Sequence, residues 1–231
     1  MADYDGDGRL DLYVVNQKGF RPPPPREQRP WVGDSLSGAE NTLWHNEGGG
    51  RFTDVTRKSR ASGGLRQTFA ASTFFYDDDR FPDLYLANDL GTNLLLRNNG
   101  DGTFVDITKE SGSGDFATSM GVATGDLDND GAAEIYVANM YSKMGERIIA
   151  HVRADDYPAG VYEQIRGSCA GNRLYRRGGN GDKFHDFSRA AGVNDVGWAY
   201  APAMTDLDGD GLLDLYATTG FMSFEHGKPD G

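Results

Sequence analysis

Asp3-Tyr-Asp5-Gly-Asp7-Gly8-Arg9-Leu-Asp11 runs directly into Leu12-Tyr13-Val14-Val15. The same phrase returns as Asp126-Leu-Asp128-Asn-Asp130-Gly131-Ala132-Ala-Glu134 before Ile135-Tyr136-Val137. It returns again as Asp206-Leu-Asp208-Gly-Asp210-Gly211-Leu212-Leu-Asp214 before Leu215-Tyr216-Ala217. A worn copy, Phe75-Tyr-Asp77-Asp-Asp79-Arg80-Phe81-Pro-Asp83, precedes Leu84-Tyr85-Leu86. Alternating carboxylates around a glycine describe a site for a hard cation. Recurrence ahead of an apolar run describes a repeat architecture, to be sought before any other reading.

Calcium takes six to eight oxygens at about 2.3–2.6 Å. A nine-residue loop coiled around a centre offers side chains from positions 1, 3, 5 and 9, and the carbonyl of position 7. Glycine at position 6 permits the sharp turn that a Cβ resists. The opening resembles the helix–loop–helix calcium loop, but that loop needs Glu at position 12 and flanking helices. Here position 12 falls inside Leu-Tyr-Val runs that read as strands. The candidate ligands are therefore Asp3, Asp5, Asp7, Arg9 and Asp11; Asp126, Asp128, Asp130, Ala132 and Glu134; and Asp206, Asp208, Asp210, Leu212 and Asp214. The worn loop offers only Asp77, Asp79 and Asp83. It lacks the first carboxylate (Phe75) and the glycine (Arg80), and the Arg80 guanidinium is a candidate to stand where the cation would. A turn that binds nothing is the plainer alternative, since Asp and Gly are common turn residues. Three complete copies weigh against it, because crowded carboxylates repel unless a cation compensates them.

The chain has 231 residues, 38% hydrophobic, with 32 glycines, about twice the usual share. No apolar run is long enough to span a membrane. The net charge of −12 argues against non-specific nucleic-acid binding. One cysteine, Cys169, excludes an intrachain disulfide and reads as an ordinary thiol. The four histidines, His45, His151, His185 and His226, show no metal-ligand spacing, and His45 occupies the repeat position filled elsewhere by Arg97 and Arg176. No signal peptide opens the chain, which starts inside an acidic loop; residues upstream are expected to be missing.

Two further signatures complete the unit. N-x-L-x-x-N-x-G-x-G-x-F-x-D-V-T spans Asn41–Thr56 and Asn93–Thr108, and a looser copy spans Asn172–Ser188. It reads as a hairpin whose Asp54, Asp106 and Asp186 act as strand-end hydrogen-bond acceptors. A small-residue strand then leads into the next loop: Phe69–Phe74, Ser119–Thr124 and Tyr200–Thr205. Four short strands per unit, apolar on both faces, describe propeller blades, with the small residues crowded near the axis. The units read as 1–73, 74–124, 125–204 and the start of another at 205–231. Insertions fall at 19–38, with Pro22–Pro25 and Trp31, and at 141–170, with weak helical patterns around Arg147–Val152 and Tyr162–Ile165. Insertions project from a blade face, where function often sits. The second holds the unrepeated group His151, Arg153, Tyr157, Tyr162 and Glu163, where an enzyme would show its chemistry.

Ser119-Met-Gly-Val-Ala-x-x-Asp126, Asp83-Leu-Tyr-Leu-Ala-Asn-Asp89 and Asn98-Asn-Gly-Asp-Gly-Thr-Phe104 resemble the FG-GAP/VCBS repeat family, and within it the ASPIC/UnbV, or cartilage-acidic-protein-like, group. The resemblance covers most of the chain except the two insertions. It implies a seven-bladed, integrin-α-like β-propeller, with calcium held by positions 1, 3, 5, 7 and 9 of each loop. It also implies an extracellular, periplasmic or cell-surface location, and adhesion or binding of a protein or glycan rather than catalysis. The alternatives are a calcium-dependent lyase or hydrolase and a purely structural module. With three units and the start of a fourth, the ring is expected to be incomplete. The missing blades would come from flanking sequence or from self-association.

Overall fold

The computed structural model describes residues 1–17, 38–140, 143–177 and 183–220. Nearly all of the first insertion, with its prolines and Trp31, lies outside the described residues, as does the turn of the third hairpin.

Each acidic loop leads into a strand, and in the two full blades that strand pairs on both sides. The strand β1 (Leu12–Val14) pairs antiparallel with β2 (Thr42–Gly48), which turns back into β3 (Arg51–Asp54). A full four-stranded meander follows: β4 (Gln67–Phe74), β5 (Asp83–Thr92), β6 (Leu94–Asn98) and β7 (Phe104–Asp106). The next has the same order: β8 (Phe116–Gly125), β9 (Glu134–Asn139), β10 (Arg173–Arg177) and β11 (Phe184–Asp186). The hairpin β12 (Ala199–Thr205) and β13 (Asp214–Thr219) begins a further copy. The fold is all-β and of propeller type, with two full blades between two partial ones.

The small-residue strand pairs forward, with the strand that follows its loop. The two full blades are also joined: the end of β5 hydrogen-bonds with the start of β8 after a bulge at Asp89–Gly91, where Leu90 takes a left-handed φ of 48°. Successive small-residue strands approach closely. Ser72 Oγ lies 2.8 Å from Thr124 Oγ1, and a Cβ on Gly121 would sit 2.0 Å from the carbonyl oxygen of Tyr200.

Because side chains alternate along a strand, Leu84 and Leu86 pack towards the preceding blade with Tyr4, Leu43, Leu94, Leu96 and Phe104. Tyr85 and Leu95 face the next blade with Phe74, Ile135, Val137, Tyr175 and Phe184. The apolar runs of β5 and β9 are thus buried on both faces between stacked sheets. The repeated tyrosine is anchored alike in three copies: Tyr13, Tyr85 and Tyr136 donate to the carbonyls of Ala61, Ser113 and Val193, at 2.6, 2.8 and 3.0 Å.

The D-V-T signature forms a relay into the hairpin. Asp54, Asp106 and Asp186 each accept the amide two residues on, at 2.9, 3.0 and 3.0 Å. The hydroxyls of Thr56, Thr108 and Ser188 accept the amides of Leu43, Leu95 and Leu174, at 2.9, 2.9 and 2.8 Å. One-turn helices follow, α1 (Thr56–Ser59) and α2 (Thr108–Ser111). The second insertion carries α3 (Lys143–Ile149), which overlaps only the start of the Arg147–Val152 pattern, and α4 (Val161–Ser168), which contains Tyr162–Ile165. No described helix is long and apolar enough to cross a membrane.

Candidate metal centres

Each complete loop coils because two of its positions take a left-handed backbone. Position 6 is glycine in all three, with φ of 86°, 89° and 88° at Gly8, Gly131 and Gly211. Position 4 does the same at Gly6 (76°), Asn129 (58°) and Gly209 (79°). Asn tolerates this region better than most residues, which explains Asn129. Among the described residues, Asp78 and Arg80 of the worn loop are not left-handed, so its backbone takes another path.

The coil turns its amides onto the first carboxylate. Asp3 accepts the amides of Gly6, Asp7 and Gly8 at 2.8, 3.1 and 2.8 Å. Asp126 accepts those of Asp130 and Gly131 at 3.1 and 2.8 Å, and Asp206 those of Gly209, Asp210 and Gly211 at 2.7, 3.2 and 3.0 Å. Position 5 accepts the amide of position 7 in all four loops, including Asp79 from Phe81 at 2.7 Å.

The result is a convergence of carboxylate oxygens. One oxygen each from Asp3, Asp5 and Asp7 lies within 4.8 Å of the others, as do those of Asp126, Asp128 and Glu134, and of Asp206, Asp208 and Asp210. Asp77, Asp79 and Asp83 form no such trio among the described residues. Arg80 does not take a cation's place there: its guanidinium lies over the Phe81 ring, 5.1 Å from the centroid.

Crowding shows in the electrostatics. Burial, then the charges of Asp7 and Asp11, push the Asp5 carboxyl up. Burial, then Asp128 and Asp130 outweighing Arg176, does the same to Glu134. Burial with four acidic neighbours raises the Tyr4 hydroxyl to about 12. The Oδ1 atom of Asp5 is sealed from solvent and has no hydrogen-bond partner. The carboxylate trios, all oxygen, fit a hard divalent cation.

Residues 76–137, from the worn loop to the third copy of the Leu-Tyr-Val run, match the FG-GAP-like repeat family. Over that stretch the chain is similar to an FG-GAP-like repeat. Over 172 residues it is 30% identical to cartilage acidic protein 1 of Xenopus tropicalis, and over 173 residues 29% identical to the Homo sapiens protein of that name. Each match covers 60% of this chain and 26% of the relative, so the chain spans about a quarter of the length of the curated relatives it matches.

In all four loops, position 9 has a second duty that its ligand reading missed. Asp11, Asp83, Glu134 and Asp214 each accept the amide of position 2 in their own loop, at 3.1, 2.7, 2.8 and 2.9 Å. Asp11 and Asp83 also accept the amides of Asn46 and Asn98 in the following hairpin, at 2.8 and 2.7 Å. Position 9 therefore pins the loop shut and ties it to the blade. Asp83 keeps that role where the trio is lost. It is 1% exposed, and burial, outweighing those two amides, lifts its carboxyl to about 6. The shared N-x-L-x-x-N spacing was the sequence signal for this pin.

The repeat position of His45 and Arg176 also faces the loops. Arg176 pairs with Asp128 and lies 3.8 Å from both Asp130 and Glu134, while His45 reaches Asp5 and Asp11. Arg97 meets Asn99 instead.

The unrepeated group of the second insertion does not converge. Tyr162 and Glu163 line a cleft of about 550 Å³ with Glu146, Arg166, Arg173 and Arg189, whereas His151, Arg153 and Tyr157 do not. Glu163 pairs with Arg166 at 3.4 Å, and Tyr157 meets Tyr162 at a ring separation of 6.3 Å.

Proposed function

We propose that this chain is part of a calcium-binding, extracytoplasmic β-propeller that recognises a protein or glycan partner, without catalysis. The observation that carries the calcium reading is the coil in three loops that gathers carboxylate oxygens within 4.8 Å and spends loop amides on the first of them. The ligands would be the carboxylates of positions 1, 3, 5 and 9 and the carbonyl of position 7, supplied by Arg9, Ala132 and Leu212. The worn loop, with Asp77, Asp79 and Asp83, contributes structure more than binding. Loops of this class suit the calcium range of extracellular modules, about 0.1–1 mM. An ion that binds only the folded loops stabilises them by mass action. Thermal melts in millimolar calcium and in chelator test this. A rise of several degrees with calcium is expected, and superimposable melts would refute it.

The outer hairpin β12–β13 keeps Leu207, Leu212 and Tyr216 more than a third exposed, unlike the matching strands β8 and β9. Such faces are covered in a propeller by a further blade, here from flanking sequence or a second copy. Sedimentation of the 231-residue chain is expected to report self-association. A compact monomer would count against it.

A further inference from the structure

The loops at Asp3 and Asp126 differ in the residue that faces them from the hairpin. The loop at Asp126 meets a guanidinium, Arg176; the loop at Asp3 meets an imidazole, His45. The Nδ1 atom of His45 lies 3.3 Å from Asp5 Oδ2 and 3.3 Å from Asp11 Oδ1. It is sealed from solvent, and it makes a hydrogen bond to neither carboxylate. The Oδ1 atom of Asp5, equally sealed, is unpartnered too. A single ion pair explains none of this well: a nitrogen set between two carboxylates, bonded to neither, is placed as one donor among three. Those three donors lie within 4.8 Å of one another.

The spacing suits a small ion. Zinc–nitrogen and zinc–oxygen distances are about 2.0–2.2 Å, which puts neighbouring ligands of a tetrahedral ion about 3.3–3.6 Å apart. The supporting contacts resemble those of metal-bound histidines, whose second nitrogen usually faces a carboxylate. Here Nε2 lies 3.8 Å from Asp7 Oδ2. Asp11, 1% exposed, is held by the amides of Tyr4 and Asn46, and the Tyr4 ring stands edge-on to the imidazole at 6.2 Å. A tethered imidazole changes the class of ion a cage prefers. Imidazole suits zinc, copper, iron and nickel, whereas calcium prefers oxygen alone.

We propose that His45 Nδ1, Asp5 and Asp11 form a mixed nitrogen–oxygen site at which a zinc-class divalent ion competes with calcium for the first loop, whereas the loops at Asp126 and Asp206 offer oxygen donors alone. The proposal rests on reading the loops as cation cages. The sequence alone offered no such site, because His45 stands 34 residues after Asp11 and only the pairing of β1 with β2 brings them together.

The test is titration of the whole chain with zinc chloride in saturating calcium, with cobalt as a visible-absorbing substitute. One equivalent of zinc is expected to bind, and cobalt to give the intense absorption of a four-coordinate site with a nitrogen ligand. His45→Gln should weaken zinc at least about tenfold to a hundredfold. His45→Arg, which copies the loop at Asp126, should abolish zinc binding while keeping circular dichroism and calcium-dependent melting intact. Equal zinc binding by wild type and both folded variants, or none by wild type, overturns the proposal and shows that His45 is only an ion-pair partner. Loss of calcium stabilisation in every form, with the zinc difference retained, would instead overturn the calcium reading and leave this site standing.

Discussion

The loop-closing role of position 9 is open to test at Asp83, the copy whose loop gathers no trio. In the substitution Asp83→Asn, one oxygen still accepts an amide, and an NH₂ group now faces the amide of Tyr76 or Asn98. That mismatch costs about 1–3 kcal/mol at every pH. The charge adds a pH-dependent part. Burial raises the Asp83 carboxyl from 3.8 to about 6 in the folded chain. Between those values the folded state holds more protons than the unfolded one, so this group's contribution to stability falls as pH rises. A rise of that size sets the two protonation states apart by about 3 kcal/mol. Asparagine has no such titration. The advantage of wild type over Asp83→Asn should therefore be largest near pH 4 and shrink by about 3 kcal/mol by pH 7. Urea unfolding of both proteins in chelator, from pH 4 to 7.5, measures the difference directly, and titrations common to both cancel. A difference that stays constant with pH, or grows as pH rises, would refute the account of Asp83 as a buried, desolvated pin.

Asp208→Ala removes a donor from a complete cage and should weaken calcium-dependent stabilisation more than Asp79→Ala, which acts in a loop lacking position 1 and its glycine. Calcium titrations of the two variants decide it, and equal losses would contradict the ranking. Arg173→Ala leaves Asp115 without the cation 3.4 Å away that offsets its burial. A loss of about 3–5 kcal/mol in urea unfolding is expected, and the pair Asp115→Asn with Arg173→Met should recover much of it.

Repeats were legible because residue spacing carries them. The acidic loops, the N-x-L hairpins and the small-residue strands all appear in the structure as elements of the expected kind; of the helical patterns read in the second insertion, Tyr162–Ile165 lies within α4, whereas α3 starts earlier than Arg147–Val152 and ends at Ile149. The candidate ligands at Asp3, Asp126 and Asp206 were readable because glycine at position 6 is a local backbone requirement. Less was legible where one side chain serves two purposes. A carboxylate at position 9 reads as a ligand, yet its oxygens accept amides from its own loop and, at Asp11 and Asp83, from the next hairpin. The left-handed position 4 was hidden because asparagine replaces glycine at Asn129.

By itself, the sequence determined a repeated, strand-rich fold, the positions of its acidic loops and the oxygen chemistry they offer. Those features depend on contacts within about ten residues, where spacing and backbone preference suffice. The tertiary structure decided what spacing cannot express. It joined the two full blades through the end of β5. It turned Arg176 onto Asp128. It also brought His45 across a hairpin to Asp5 and Asp11. The physical reason is register: strands far apart in the chain are aligned by cross-strand amides and by burial on both faces, and only that alignment sets which cation meets which cage.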